Sequence, residues 1–132
     1  MTHTQTQRRI HTNTLSGPEI LDQFYKDLAA FIDESPAEYR RNLCILGDFN
    51  GEVGKFEGSI RHAAMPEGIL GSMINNPKST PWGDKLLDFC VENNDLVVAN
   101  SFFHSKYSET YYHKTLKRWT STIDHLLTSR AL

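Results

Sequence analysis

The sequence predicts a layered α/β protein, and three observations carry that prediction. A capped amphipathic helix opens the ordered part of the chain, two short apolar runs have the length and bounds of buried strands, and a second capped helix lies between them. The 132 residues suffice for one domain, able to bury roughly two-thirds of its unfolded surface.

The first helix is announced by Ser16-Gly17-Pro18-Glu19. Ser16 can accept from the backbone, Glu19 can reach back three residues, and Pro18 sits in the first turn, where its missing N–H is harmless. Ile20, Leu21, Phe24, Tyr25, Leu28, Phe31 and Ile32 then recur at steps of three and four and form one apolar stripe. The helix should stop before Ser35-Pro36. Residues 1–15 lack periodicity and form an irregular N-terminal segment, leaving 16–132 as the domain.

Leu43-Cys44-Ile45-Leu46 is a continuous apolar run bounded by Asn42 and Gly47, which predicts a strand buried on both faces. Residues 53–80 carry glycines, Pro66, Pro77 and Asn75-Asn76, and exceed the usual connection length, the mark of a functional or mobile loop. Ser79 or Thr80 with Pro81 starts the second helix, with Leu86, Leu87, Cys90 and Val91 as its buried stripe and Asn93-Asn94 as its end. Residues 96–100 read as another buried strand. Thr110-Tyr111-Tyr112 and Arg118-Trp119-Thr120 read as a strand pair around a basic turn. Residues 122–128 read as a buried strand broken by Asp124-His125.

Composition limits the function classes. A formal charge of -2 means that the molecule as a whole would not be drawn to a polyanion, so contact with nucleic acid requires a local patch such as Lys114, Lys117 and Arg118. No apolar stretch approaches the length of a membrane span, and residues 1–14 have no apolar core of a signal peptide; the chain reads as intracellular, nuclear or cytoplasmic alike. Cys44 and Cys90, both within apolar patterns, read as reduced, buried small hydrophobes.

Two polar breaks carry the candidate chemistry. Apolar Leu43–Leu46 ends abruptly in Gly47-Asp48-Phe49-Asn50, followed by Gly51 and Gly54. In an extended segment Asp48 and Asn50 would project to one side and Phe49 to the other, so that an acid and an amide could together position a water and a phosphate or carbonyl oxygen. The same residue types also make plain turns. In Asp124-His125 a charge amid an apolar strand needs a partner, which allows an acid that orients an imidazole or a solvated Asp at the sheet rim. His3, His11, His62, His104 and His113 lack metal-ligand spacing. Phe102, Phe103, Tyr111, Tyr112 and Trp119 could stack on bases, although such aromatics more often fill a core.

In order, "ILGDFNGEVG", "GDKLLDFCVENNDLVVANSFF" and "TYYHKTLKRWTSTIDHLL" resemble the endonuclease/exonuclease/phosphatase superfamily, in particular the endonuclease domains of non-LTR retrotransposons and craniofacial-development-protein-like proteins. The resemblance covers roughly residues 20–130, and Gly-Asp-Phe-Asn at the end of an apolar run arises by chance in about one such chain per thousand. It implies part of a four-layered α/β sandwich, with two packed mixed sheets flanked by helices, and hydrolysis of phosphodiesters, DNA above all, assisted by Mg2+ or Mn2+. It makes Asp48, Asn50 and Asp124 catalytic. Asp48 would position or deprotonate water and is a possible metal ligand, the full ligand set being unknown; Asn50 would hold a nonbridging phosphate oxygen, and Asp124 would orient a histidine. It places His125, Tyr112, Trp119, Lys117 and Arg118 near substrate.

The family's metal-binding Glu and its terminal Ser-Asp-His segment have no counterpart in these residues, so the resemblance implies a domain incomplete at both ends, whose uncovered sheet faces would favour self-association. The family more often has Thr-Trp where Tyr111-Tyr112 stand. The alternative is an inactive fragment that binds nucleic acid or protein.

Overall fold

In the computed structural model, residues 16–54, 68–74, 76, 78–93, 96–103 and 109–130 are described, and the chain divides into two compact units, residues 1–35 and 36–132. The irregular segment 1–15, most of the 53–80 loop, and His3, His11, His62 and His104 lie outside the described residues.

The first unit contains helix α1, Gly17–Glu34. The capping box forms as its residues require: Ser16 accepts from the Glu19 amide, and the Glu19 carboxylate accepts from the Ser16 amide. Leu21, Tyr25 and Ile32 are the buried members of the stripe, whereas Phe31 is exposed. Pro36 ends the helix as expected.

The second unit opens with a short helix α2, Ala37–Arg41, which the sequence pattern did not signal. A three-stranded antiparallel sheet follows, built from β1 (Cys44–Asp48), β2 (Leu96–Val98) and β5 (Asp124–Ser129) in the order β1-β5-β2. Helix α3, Pro81–Glu92, lies between β1 and β2 in sequence, and a second sheet is the hairpin of β3 (Tyr111–His113) and β4 (Arg118–Ser121). Helices and antiparallel sheets together make the chain mixed α/β.

Burial along the sheet corrects one expectation. On β5, His125, Leu127 and Ser129 are buried, and they alternate with the less buried Asp124, Leu126 and Thr128. Cross-strand pairing places Cys44 opposite Thr128, Leu46 opposite Leu126 and Asp48 opposite Asp124 on that second face. There Leu46 is 77% exposed. β1 therefore has one half-buried and one exposed face, and its apolar composition does not reflect two covered sides. For the same reason Cys44 is exposed, contrary to the reading of both cysteines as buried; Cys90, on α3, is buried. The core comprises Leu86, Leu87, Phe89 and Cys90 of α3, Leu96 and Val98 of β2, and Leu127 of β5, joined by Ile69.

β2 is shorter than expected. After Val98 the chain tightens into a 3-10 turn, Ala99–Ser101, and the Asn100 side chain accepts from the Leu126 amide of β5. The β3–β4 hairpin forms as predicted, with a bulge between Tyr111 and Tyr112. Its aromatics do not fill a core: Tyr111, Tyr112 and Trp119 are exposed, as are Phe102 and Phe103.

Candidate active site

β1 and β5 bring the two acidic breaks together. Asp48 and Asp124 are direct cross-strand partners at the strand ends, so their side chains leave the same face. Asp48 is exposed and Asp124 half-buried. The pairing extends one step further, since the Phe49 amide donates to the Ile123 carbonyl at 2.9 Å. Phe49 itself turns to the packed side and is 6% exposed.

Asn50 joins Asp48 by a different route from in-strand alternation. The strand ends at Asp48, and Asn50 adopts a left-handed backbone with φ 52°. Its backbone N–H then donates to Asp48 Oδ1 at 2.8 Å, an Asx turn that fixes one carboxylate oxygen. Asn50 is exposed beside Asp48. The left-handed residue is thus the asparagine, and not one of the glycines around it.

Gly51 answers to close approach. A Cβ on it would stand 2.5 Å from the Gly83 backbone nitrogen, where the turn meets the start of α3. Thr80, the N-cap of α3, fastens that contact. Its hydroxyl accepts from the Gly83 amide at 3.2 Å and from the Glu52 amide at 3.0 Å, while its own amide donates to the Glu52 carbonyl. The sequence identified Thr80 as a cap, but nothing in it signals the second bond.

His125 stands on the opposite face from Asp124, 3% exposed, and its Nε2 lies 2.7 Å from the Gly51 carbonyl oxygen. Burial pushes its pKa below the ordinary value; the Gly51 carbonyl and the charges of Asp124 and Asp48 pull the other way without overcoming it. His125 is therefore a neutral packed imidazole that faces away from the two carboxylates. It borders a cleft of about 50 Å³ together with Asn76, Asn100, Ser101, Glu109 and Thr122, on the side away from Asp48 and Asp124.

The hairpin is tied to the acidic pair. The Thr110 hydroxyl accepts from the Ile123 and Asp124 amides, at 3.0 and 3.1 Å, and the Thr110 amide donates to the Ser121 carbonyl. Tyr112 and Trp119 meet edge to face at 5.6 Å on the hairpin, and Lys114, Lys117 and Arg118 are exposed at its turn, where Lys117 is left-handed with φ 51°. Sequence spacing gave Thr110 and Asn100 no role; both act through side-chain bonds to β5 that only the folded chain creates.

Among the described residues no three His, Cys, Asp or Glu side chains gather as a ready metal cage. Comparison with protein-family models, with curated proteins and with solved structures returns no match in any of the three.

Proposed function

We propose that the chain belongs to a divalent-metal-dependent phosphodiester hydrolase of endonuclease/exonuclease/phosphatase type, a DNA endonuclease of the retroelement kind, folded as part of a four-layered α/β sandwich. The observation that supports this most is the pairing of Asp48 with Asp124 at the ends of adjacent strands, beside an Asn50 locked onto the Asp48 carboxylate.

The chemistry follows from these groups. Asp48, with Oδ1 held by the Asn50 backbone amide, orients a water through its other oxygen and accepts its proton as the water attacks phosphorus in line; the P–O ester bond opposite breaks, and the leaving alkoxide takes its proton from solvent water. The Asn50 side-chain amide, exposed at the same strand end, donates to a nonbridging phosphate oxygen. Asp124 adds a second carboxylate on the same face, directly across the strand pair from Asp48. Two facing carboxylates fit Mg2+ or Mn2+, since such ions commonly take one or two protein carboxylates and complete their shell with water and substrate phosphate. When bound there, the ion supplies neutralisation of the charge that builds on the transferring phosphate.

Substrate is held by the hairpin in this reading. Exposed Tyr112 and Trp119 offer faces to bases or sugars, and Lys114, Lys117 and Arg118 offer charge to phosphates. A local basic patch also answers the objection raised by the net charge of -2.

Plasmid nicking with Mg2+ tests the proposal. Wild type should nick, and Asp48→Ala and Asn50→Ala should each lose about a hundredfold or more of the rate while keeping affinity in a gel shift. The second reading is a module that binds nucleic acid without cleaving it, favoured by the absence of a third metal-ligating side chain among the described residues. It predicts no nicking by wild type, with DNA retention abolished by alanine at Lys114, Lys117 and Arg118.

A further inference from the structure

The imidazole of His125 is an expensive way to fill its slot. Its Nε2 contacts the Gly51 carbonyl, a group that only accepts, so Nε2 must carry the hydrogen and Nδ1 is left as a bare lone pair. Nδ1 is buried and has no hydrogen-bond partner among the described residues. A phenylalanine would pack beside Phe49, 6.2 Å away, and remove the unpartnered Nδ1, but lose the donor to the Gly51 carbonyl. What the histidine alone provides is a donor to a carbonyl 74 positions earlier in the chain.

That carbonyl ends the Asp48–Gly51 turn. On one side the turn is held by the Phe49 amide on Ile123, and on the other by Glu52 on Thr80. Between these anchors stands Asn50, in the left-handed conformation that asparagine bears more easily than most residues but that still has to be held. Gly51 is the next residue, and holding its carbonyl anchors the peptide unit that follows it, so the chain is pinned on both sides of Asn50.

We propose that His125 is a positioning residue. By donating from Nε2 to the Gly51 carbonyl, it holds Asn50 left-handed, keeps the Asn50 amide on Asp48 Oδ1, and so sets the Asp48 carboxylate opposite Asp124. Its value to catalysis rests on the hydrolase reading; its effect on the turn does not.

The test compares His125→Phe, which removes the donor, with His125→Gln, whose side-chain amide reaches a similar point. Leu127→Ala serves as a control that lowers stability from the same buried strand face. Amide hydrogen exchange at Asn50 should quicken about tenfold in His125→Phe relative to β5 amides. It should return to near the wild-type value in His125→Gln and keep its ratio to β5 in Leu127→Ala. The nicking kcat should fall about a hundredfold in His125→Phe with KM little changed, and recover in His125→Gln. Should His125→Phe fail to fold, His125→Asn, whose shorter amide stops short of the carbonyl, takes its place with the same expected result. Exchange at Asn50 that merely follows global stability, as in Leu127→Ala, overturns the proposal. If wild type does not nick, the hydrolase reading falls, and the Asn50 exchange still decides whether His125 positions the turn.

Discussion

Asn50 pays a local conformational cost at the point where chemistry is proposed. A left-handed backbone costs an ordinary L-residue about 1 kcal/mol, and asparagine and glycine bear it more easily. Asn50→Ala should therefore lower unfolding stability by about 1 kcal/mol in urea, while Asn50→Gly stays within about 0.5 kcal/mol of wild type. Equal losses in the two would place the effect in the side chain instead. His125 supplies a pH prediction. Its folded pKa is below the ordinary 6.5, so the unfolded chain takes up the proton first as pH falls. The His125 contribution is complete above pH 6.5 and declines as pH drops from there toward the folded value. Urea midpoints at pH 7.5 and 5.5 should thus differ more in wild type than in His125→Phe. The three residues of the site were legible in the sequence in different degrees. Asp48 and Asp124 stood out because a carboxylate inside an apolar run demands a reason, whereas Asn50's link to Asp48 was expected from strand alternation and arises from a turn.

Helix α3 carries more than its own burial. Thr80 caps the helix and also receives the Glu52 amide, so the cap doubles as the fastening of the Asp48–Gly51 turn. Thr80→Ala should cost about 2 kcal/mol, the upper end for a lost cap, because two amides lose an acceptor. Thr80→Ser keeps the hydroxyl and should recover most of it in thermal unfolding. Gly83 belongs to the same contact, since a Cβ there would meet the Glu52 carbonyl. Gly83→Ala should accordingly destabilise by several kcal/mol although alanine favours a helix, because no side chain can move aside from a backbone carbonyl. The helix starts, the stop at Pro36 and the hairpin were all readable, since caps, proline and turn residues act over a few positions. The short helix α2 and the early end of β2 were not, because five residues offer too little periodicity and the Asn100 side chain replaces a strand bond that pattern alone would expect.

The second unit as a whole has a sheet with one covered face and one open one. Cys44 lies on the open face, and Cys90 is enclosed, its thiol pushed up to about 12 by burial. A thiol reagent at pH 8 should label Cys44 at once and Cys90 only as the protein unfolds, so a second equivalent reacting as fast as the first would contradict this packing. The open face also displays Leu46, whose exposure would favour self-association at high concentration. Sedimentation should show a shift toward monomer in Leu46→Lys.

By itself the sequence determined where helices begin and end, which segments are extended, and which two acids interrupt apolar runs. Those properties depend on neighbours within a turn or two, where capping, φ restriction and alternation act. Only the tertiary structure decided that Asp48 faces Asp124, that His125 turns away from both to grip Gly51, and that the hairpin aromatics face water. Each of these is a pairing of residues far apart in the chain. Their registers are set by the burial of Leu127, Val98 and the α3 side chains together, and no local pattern encodes that sum.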